Sequence, residues 1–130
     1  MANLPDETLT TISNLLPRLF QVINLAMETE FSLFEQYGET DETIGELEQV
    51  RNAEERLRTL YNRIYGLVLQ VAESQPAANS ATLNLLYQSI EQAVATAYAV
   101  EATAQETKRN WNLLWIMKKK FLMRRRERNQ

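Results

Sequence analysis

Residues 80–130 read SATLNLLYQSIEQAVATAYAVEATAQETKRNWNLLWIMKKKFLMRRRERNQ. Neither Gly nor Pro occurs in this stretch, so we predict one helix over its whole length. Its apolar side chains recur at spacings of three and four residues, which predicts a buried stripe. The members of this stripe are Leu83, Leu86, Ile90, Ala93, Ala97, Val100, Ala104, Thr107, Trp111 and Leu114. The alanines in its middle either let a neighbouring helix approach closely or only reflect high helix propensity, and both interpretations stay open.

A second heptad stripe precedes this helix. Its members are Val50, Ala53, Leu57, Leu60, Ile64, Leu67 and Val71, and they predict a helix over about residues 41–74. Pro76 disfavours helix at the residue before it and separates the two helices. Asn79 or Ser80 is predicted to cap the helix that follows.

The first helix is predicted over about residues 5–37. Its predicted core stripe consists of Ile12, Leu16, Leu19, Ile23, Met27, Phe31 and Phe34. Pro17 removes one backbone hydrogen bond, so we expect a kink or a break there, and the alternative is a short separate helix with a new start at Ser13 or Asn14. Gly38 suits the C-cap position, and Thr40 is the predicted N-cap of the second helix.

Short connections between long helices favour antiparallel neighbours, so the predicted fold is all-α, an antiparallel bundle of three long helices. Each of the first two helices is about 50 Å long. Folding the third helix back on the second brings Trp111 near residues 43–45, where Gly45 is expected to accept its indole. Residues after 112 then have no partner, so the third helix overhangs the bundle. The chain is thus predicted to divide into an acidic bundle, residues 1–112, and a basic, aromatic extension, residues 113–130.

The distribution of charge follows this division. The whole chain has a net charge of −3, but residues 1–107 carry 5 basic and 16 acidic side chains, while residues 108–130 carry 9 basic and 1 acidic. This contrast in charge between residues 1–107 and residues 108–130 is more informative than the net charge of the whole chain.

The composition argues against catalysis. There is no Cys and no His, so thiolate chemistry, the commonest general base and the commonest transition-metal ligand are all missing. No phosphate-binding glycine loop and no nucleophile elbow occurs. We therefore predict no enzyme activity, no cofactor, no metal site and no small-molecule substrate. We expect no signal peptide, because the first residues lack a basic stretch followed by an apolar one, and no membrane span, because no apolar run approaches about 20 residues. The expected compartment is the cytoplasm.

The basic extension is the predicted contact segment, because eight of its residues, 113–117 and 121–123, are apolar and an exposed apolar patch normally marks a binding site. The predicted partner-binding residues are Trp111, Leu114, Trp115, Lys118, Lys119, Lys120, Phe121, Leu122, Arg124, Arg125 and Arg126.

Three kinds of partner fit such a segment. The first is protein: a second copy of the chain, giving a homo-oligomer, or a partner protein with a groove for an amphipathic helix. The second is nucleic acid, with Lys and Arg on phosphates and Trp on bases. The third is an anionic membrane surface. The sequence favours a non-catalytic interaction or assembly protein, with an accessory nucleic-acid-binding subunit as the first alternative and peripheral membrane binding as the second.

Overall fold

The computed structural model describes residues 4–74 and 79–113, which form three long helices. The first, α1, is Asp6–Tyr37; the second, α2, is Ile44–Glu73; and the third, α3, is Ser80–Asn110. Every pair of helices is in contact, and no strand occurs in the residues described. The predicted all-α bundle of three long helices is confirmed.

Helix α1 is continuous through Pro17. It begins at Asp6, so the alternative of a separate short helix with a new start at Ser13 or Asn14 is wrong. Asp6 and Glu7 lie in the first turn, where their carboxylates are close to the positive end of the helix dipole.

The turn between α1 and α2 is held by Gly38 and two threonines. Gly38 has a φ of +73°, a value that costs glycine little, and its N–H donates to the carbonyl oxygen of Phe34 at 2.7 Å. The C-cap predicted for Gly38 is therefore confirmed. The Oγ1 atom of Thr43 accepts from the N–H of Thr40 at 2.9 Å and donates to the carbonyl oxygen of Gly38 at 2.7 Å. Since α2 begins only at Ile44, the prediction of Thr40 as its N-cap is wrong.

The heptad stripes of α2 and α3 face the core, as predicted. Buried positions of the two stripes are Val50, Ala53, Leu57, Ile64, Leu67, Val71, Leu86, Ala93, Ala97, Val100, Ala104 and Thr107. Asn79 caps α3, because its side-chain oxygen accepts from the N–H of Ala81 at 2.8 Å. The Oγ1 atom of Thr107 donates to Glu46 Oε2 at 3.0 Å across α2 and α3, a pairing that antiparallel neighbours bring together.

The core face of α1 differs from the predicted stripe. Met27, Phe31 and Phe34 are exposed instead of buried, and Leu16 and Ile23 are only half-buried. The buried positions are Ile12, Leu15, Leu19, Val22, Ala26, Thr29 and Leu33. The prediction was wrong because the apolar arc of α1 is wider than the surface that α2 and α3 cover.

Candidate functional site

The predicted contact segment starts where the described residues stop. Trp111 is described, and it is half-buried at the end of α3. The other predicted contact residues lie outside the described part of the chain: Leu114, Trp115, Lys118, Lys119, Lys120, Phe121, Leu122, Arg124, Arg125 and Arg126.

Helix α3 ends at Asn110, so the prediction of one unbroken helix over residues 80–130 is wrong at this point. Trp111 and Asn112 form a turn, and Asn112 has a φ of +57°, in the left-handed region that asparagine tolerates better than most residues. The hydroxyl of Tyr37 donates to the carbonyl oxygen of Trp111 at 2.9 Å. Their rings meet edge to face, with centroids 4.9 Å apart. The chain therefore turns at the end of the bundle, and Tyr37 holds this turn against the end of α1.

A small apolar cluster closes this end of the bundle. Leu33, Leu47 and Leu113 are fully buried together, and Trp111 packs against them. The predicted contact between Trp111 and Gly45 is wrong, because a Cβ atom built on Gly45 meets nothing within 4 Å. Leu113, the first residue of the predicted extension, therefore packs against α1 and α2.

The largest unexpected feature is an exposed apolar face on α1. We define the α1 apolar face as Phe20, Met27, Phe31 and Phe34, whose exposed fractions are 64%, 53%, 66% and 49%. Their spacings of seven, four and three residues place all four on one side of the helix. The predicted core stripe of α1 contained Met27, Phe31 and Phe34 but not Phe20. The helix therefore presents two apolar sides, one packed and one open.

Ion pairs border the α1 apolar face towards α2. The Nε atom of Arg51 donates to the Oε1 atom of Glu30, and this hydrogen bond raises the pKa of Arg51. A groove of about 320 Å³ is lined by Met27, Glu30, Phe31, Phe34 and Arg51. The α1 apolar face is thus bordered by Glu30 and Arg51, whose charges already form an ion pair.

The same end of the molecule is strongly acidic. Residues 28–48 contain eight acidic side chains and neither Lys nor Arg. They include Glu28 and Glu35, which are exposed on α1. A positively charged segment is therefore attracted to the part of the molecule that carries Phe31 and Phe34.

Lys108 has a structural position that the sequence did not indicate. It lies in the last turn of α3 and is only 6% exposed. Burial disfavours the ammonium form and lowers the pKa of Lys108, while the negative charge of Glu28 opposes this effect in part. Lys108 is thus poorly placed to reach a phosphate, whereas the neighbouring Arg109 is exposed.

Replacing Lys108 by methionine is expected to raise the free energy of unfolding at neutral pH by about 1 kcal/mol, because an apolar chain replaces a buried cation. Between its lowered pKa and the ordinary value of 10.5, the unfolded chain binds more protons than the folded one. The Lys108 ammonium group therefore makes the free energy of unfolding of the natural chain rise as the pH increases through that interval. In Lys108→Met this contribution to the rise is absent.

Urea unfolding at neutral pH and at about pH 10 measures both effects on Lys108. Arg109→Met is the matched control, because it removes a neighbouring exposed cation from the same helix end. If Lys108→Met is less stable than Arg109→Met at neutral pH, the buried ammonium is stabilising and the prediction is wrong.

Another groove lies between α2 and α3 and has a volume of about 760 Å³. Its lining is Asn52, Glu55, Arg56, Thr59, Leu60, Gln92, Ala95 and Thr96. In the part of the chain that the structure describes, no three Asp or Glu side chains come together as a metal site. The polar groups of this groove are amides, hydroxyls, one carboxylate and one guanidinium. The α1 apolar face is the better candidate site, because it exposes four large apolar side chains together.

Comparison with protein-family models, with curated proteins and with solved structures finds no match for this chain. Among the described helices, none combines the length and the apolar character needed to cross a membrane.

Proposed function

We propose that this chain is a non-catalytic helical interaction or assembly protein, which contacts a second copy of itself or a partner protein in the cytoplasm. The α1 apolar face is the observation that supports this proposal most directly. Complete burial of one large apolar side chain is typically worth about 1.5–3 kcal/mol. Covering four half-exposed ones in a contact therefore provides several kcal/mol.

The basic, apolar segment 114–130 is the second proposed contact element. It carries seven basic and one acidic side chain, and its charge is opposite to that of residues 28–48. Complementary charges on one chain favour association between copies, because each copy supplies both signs. The lack of His and Cys in the sequence supports the non-catalytic part of the proposal.

Phe31→Glu is expected to weaken self-association of the full chain by at least about tenfold, which corresponds to about 1.4 kcal/mol. The reason is that a carboxylate replaces the most exposed ring of the α1 apolar face. Leu85→Glu is the matched control, since Leu85 is also exposed but lies on α3. Light scattering over a wide concentration range, at low and high salt, measures the mass of each chain.

The natural chain and Leu85→Glu are expected to increase in mass with concentration, while Phe31→Glu remains a monomer over most of the range. If all three chains associate equally, the α1 apolar face is not the contact surface. If all three stay monomeric at the highest concentration, self-association is wrong. The same three chains are then titrated with single-stranded RNA and with anionic liposomes, and tight salt-sensitive binding there contradicts a protein partner.

A further inference from the structure

We infer that the α1 apolar face is the docking site for residues 114–130 of the same chain. The inference goes beyond the proposed function, because it states what covers the contact surface while no second molecule is bound. Three observations support it: where the described chain ends, how long the remaining segment is, and what the two surfaces are made of.

The described chain ends at the end of α1 that carries Phe34. Leu113 is buried against Leu33, the residue that precedes Phe34 on α1. The carbonyl oxygen of Trp111 is held by Tyr37 in the last turn of α1. Residue 114 therefore starts within a few residues' reach of Phe34, after a turn that has already redirected the chain away from the axis of α3.

The length of the segment matches the length of the face. The distance along α1 from Phe34 back to Phe20 is about 21 Å, at 1.5 Å per helical residue. Residues 114–130 cover about 26 Å as a helix and more than that if extended. The segment can therefore run back along α1, antiparallel to it, and reach Phe20 without a linker.

The composition of the segment complements that of the face. Residues 114–117 and 121–123 are apolar and match a face of four large apolar side chains. The cations of the segment would lie near Glu28 and Glu35, which are exposed on α1 beside that face. Apolar contact and charge attraction thus favour the same placement, and the contact removes both exposed apolar surfaces from water.

Connectivity favours the segment of the same chain over that of a second copy. A tethered segment with a short connection has an effective concentration in the millimolar range. A second copy displaces it only when its own concentration approaches that value, and the exchange of identical segments then gives a dimer. Docking within one chain and concentration-dependent association between copies are therefore compatible.

Engineered cysteines test the inference directly, because the natural chain has none. With residue 115 opposite Phe34, antiparallel pairing places residue 122 opposite Met27, so the test chain carries Met27→Cys and Leu122→Cys. The control chain carries Asn52→Cys and Leu122→Cys. Asn52 is exposed on α2 and lines the groove between α2 and α3. Because the neighbouring Arg51 pairs with Glu30, Asn52 lies at nearly the same position along the bundle axis as Met27.

Each full-length chain is oxidised mildly at low protein concentration, and the products are separated by non-reducing electrophoresis and weighed. The test chain is expected to form a disulfide within one molecule at least about tenfold faster than the control chain. Adding Phe31→Glu to the test chain, or raising the salt, is expected to slow that reaction. Circular dichroism on all chains checks that the helix content is unchanged.

Two results would overturn the inference. Equal rates for the test and control chains mean that the segment does not dock on α1. Disulfides that form only between molecules, even at the lowest concentration, mean that the face receives the segment of a second copy. The latter result leaves the proposed function intact, because a face that receives the segment of a second copy is itself a contact between copies.

Discussion

Leu33→Ala is expected to lower the free energy of unfolding by about 3 kcal/mol, because the lost burial is combined with a cavity that the surroundings fill only in part. Leu33 is fully buried with Leu47 and Leu113 at the end of the bundle. The cavity would open at the point where α1, α2 and the residues after α3 meet. Urea unfolding followed by circular dichroism measures the change, and an unaltered dependence on urea concentration shows that only stability has changed.

Phe31→Ala is the matched comparison for Leu33→Ala. Phe31 is nearby on the same helix and is larger, but 66% of it is exposed. Its replacement is expected to cost about 1 kcal/mol or less. The core stripe predicted from the sequence gives a larger loss for Phe31→Ala than for Leu33→Ala, because that stripe includes Phe31 and omits Leu33. A larger loss for Phe31→Ala than for Leu33→Ala would show that α1 packs with the stripe face inward and that the α1 apolar face does not exist.

The sequence predicted the cores of α2 and α3 well because an unbroken heptad stripe runs through each helix, and the apolar side chains outside it, such as Leu69, Leu85 and Val94, form no second stripe of this kind. In α2 the stripe through Leu57 and Ile64 is mostly buried. In α3 the stripe from Leu86 to Thr107 is likewise mostly buried. When an apolar arc is as narrow as the surface that neighbours can cover, periodicity is enough to identify the buried side.

Periodicity was not enough for α1, because its apolar residues extend around much more of the helix. Two stripes compete there, one through Val22, Ala26 and Leu33 and one through Met27 and Phe31. The summed hydrophobicity of the side chains favours the stripe through Met27 and Phe31, which contains aromatic residues. Close packing favours the stripe with smaller side chains, because it lets α2 and α3 approach the axis of α1. The packing of α2 and α3 against α1 decides between the two stripes. The stripe that they leave uncovered forms most of the α1 apolar face.

The end of α3 was missed for a different reason. No Gly or Pro marks the turn at Trp111 and Asn112, so the sequence has no strong signal for a helix end there. The turn is stabilised by distant partners: Tyr37 binds the carbonyl group of Trp111, and Leu33 and Leu47 bury Leu113. Asn112 was a weak local signal, because asparagine enters the left-handed region more easily than most residues.

Ala93→Leu is expected to lower the free energy of unfolding by about 2 kcal/mol, because added carbon atoms in a filled core force side chains and backbone to shift. Ala93 is fully buried on α3 and belongs to the main core. A side chain this small at a fully covered position means that the neighbouring helices are close to the axis of α3. Thermal and urea unfolding both measure the loss.

Ala99→Leu is the control, since Ala99 is exposed on the same helix. Alanine and leucine differ little in helix propensity, so Ala99→Leu is expected to be nearly neutral, and any excess loss in Ala93→Leu comes from packing. The pair also decides between the two interpretations of the alanine-rich middle of α3. If both substitutions are neutral, the alanines serve helix propensity alone and α3 has room for larger side chains. If only Ala93→Leu is costly, close approach of the helices requires alanine at the buried positions, while the exposed alanines are free to vary.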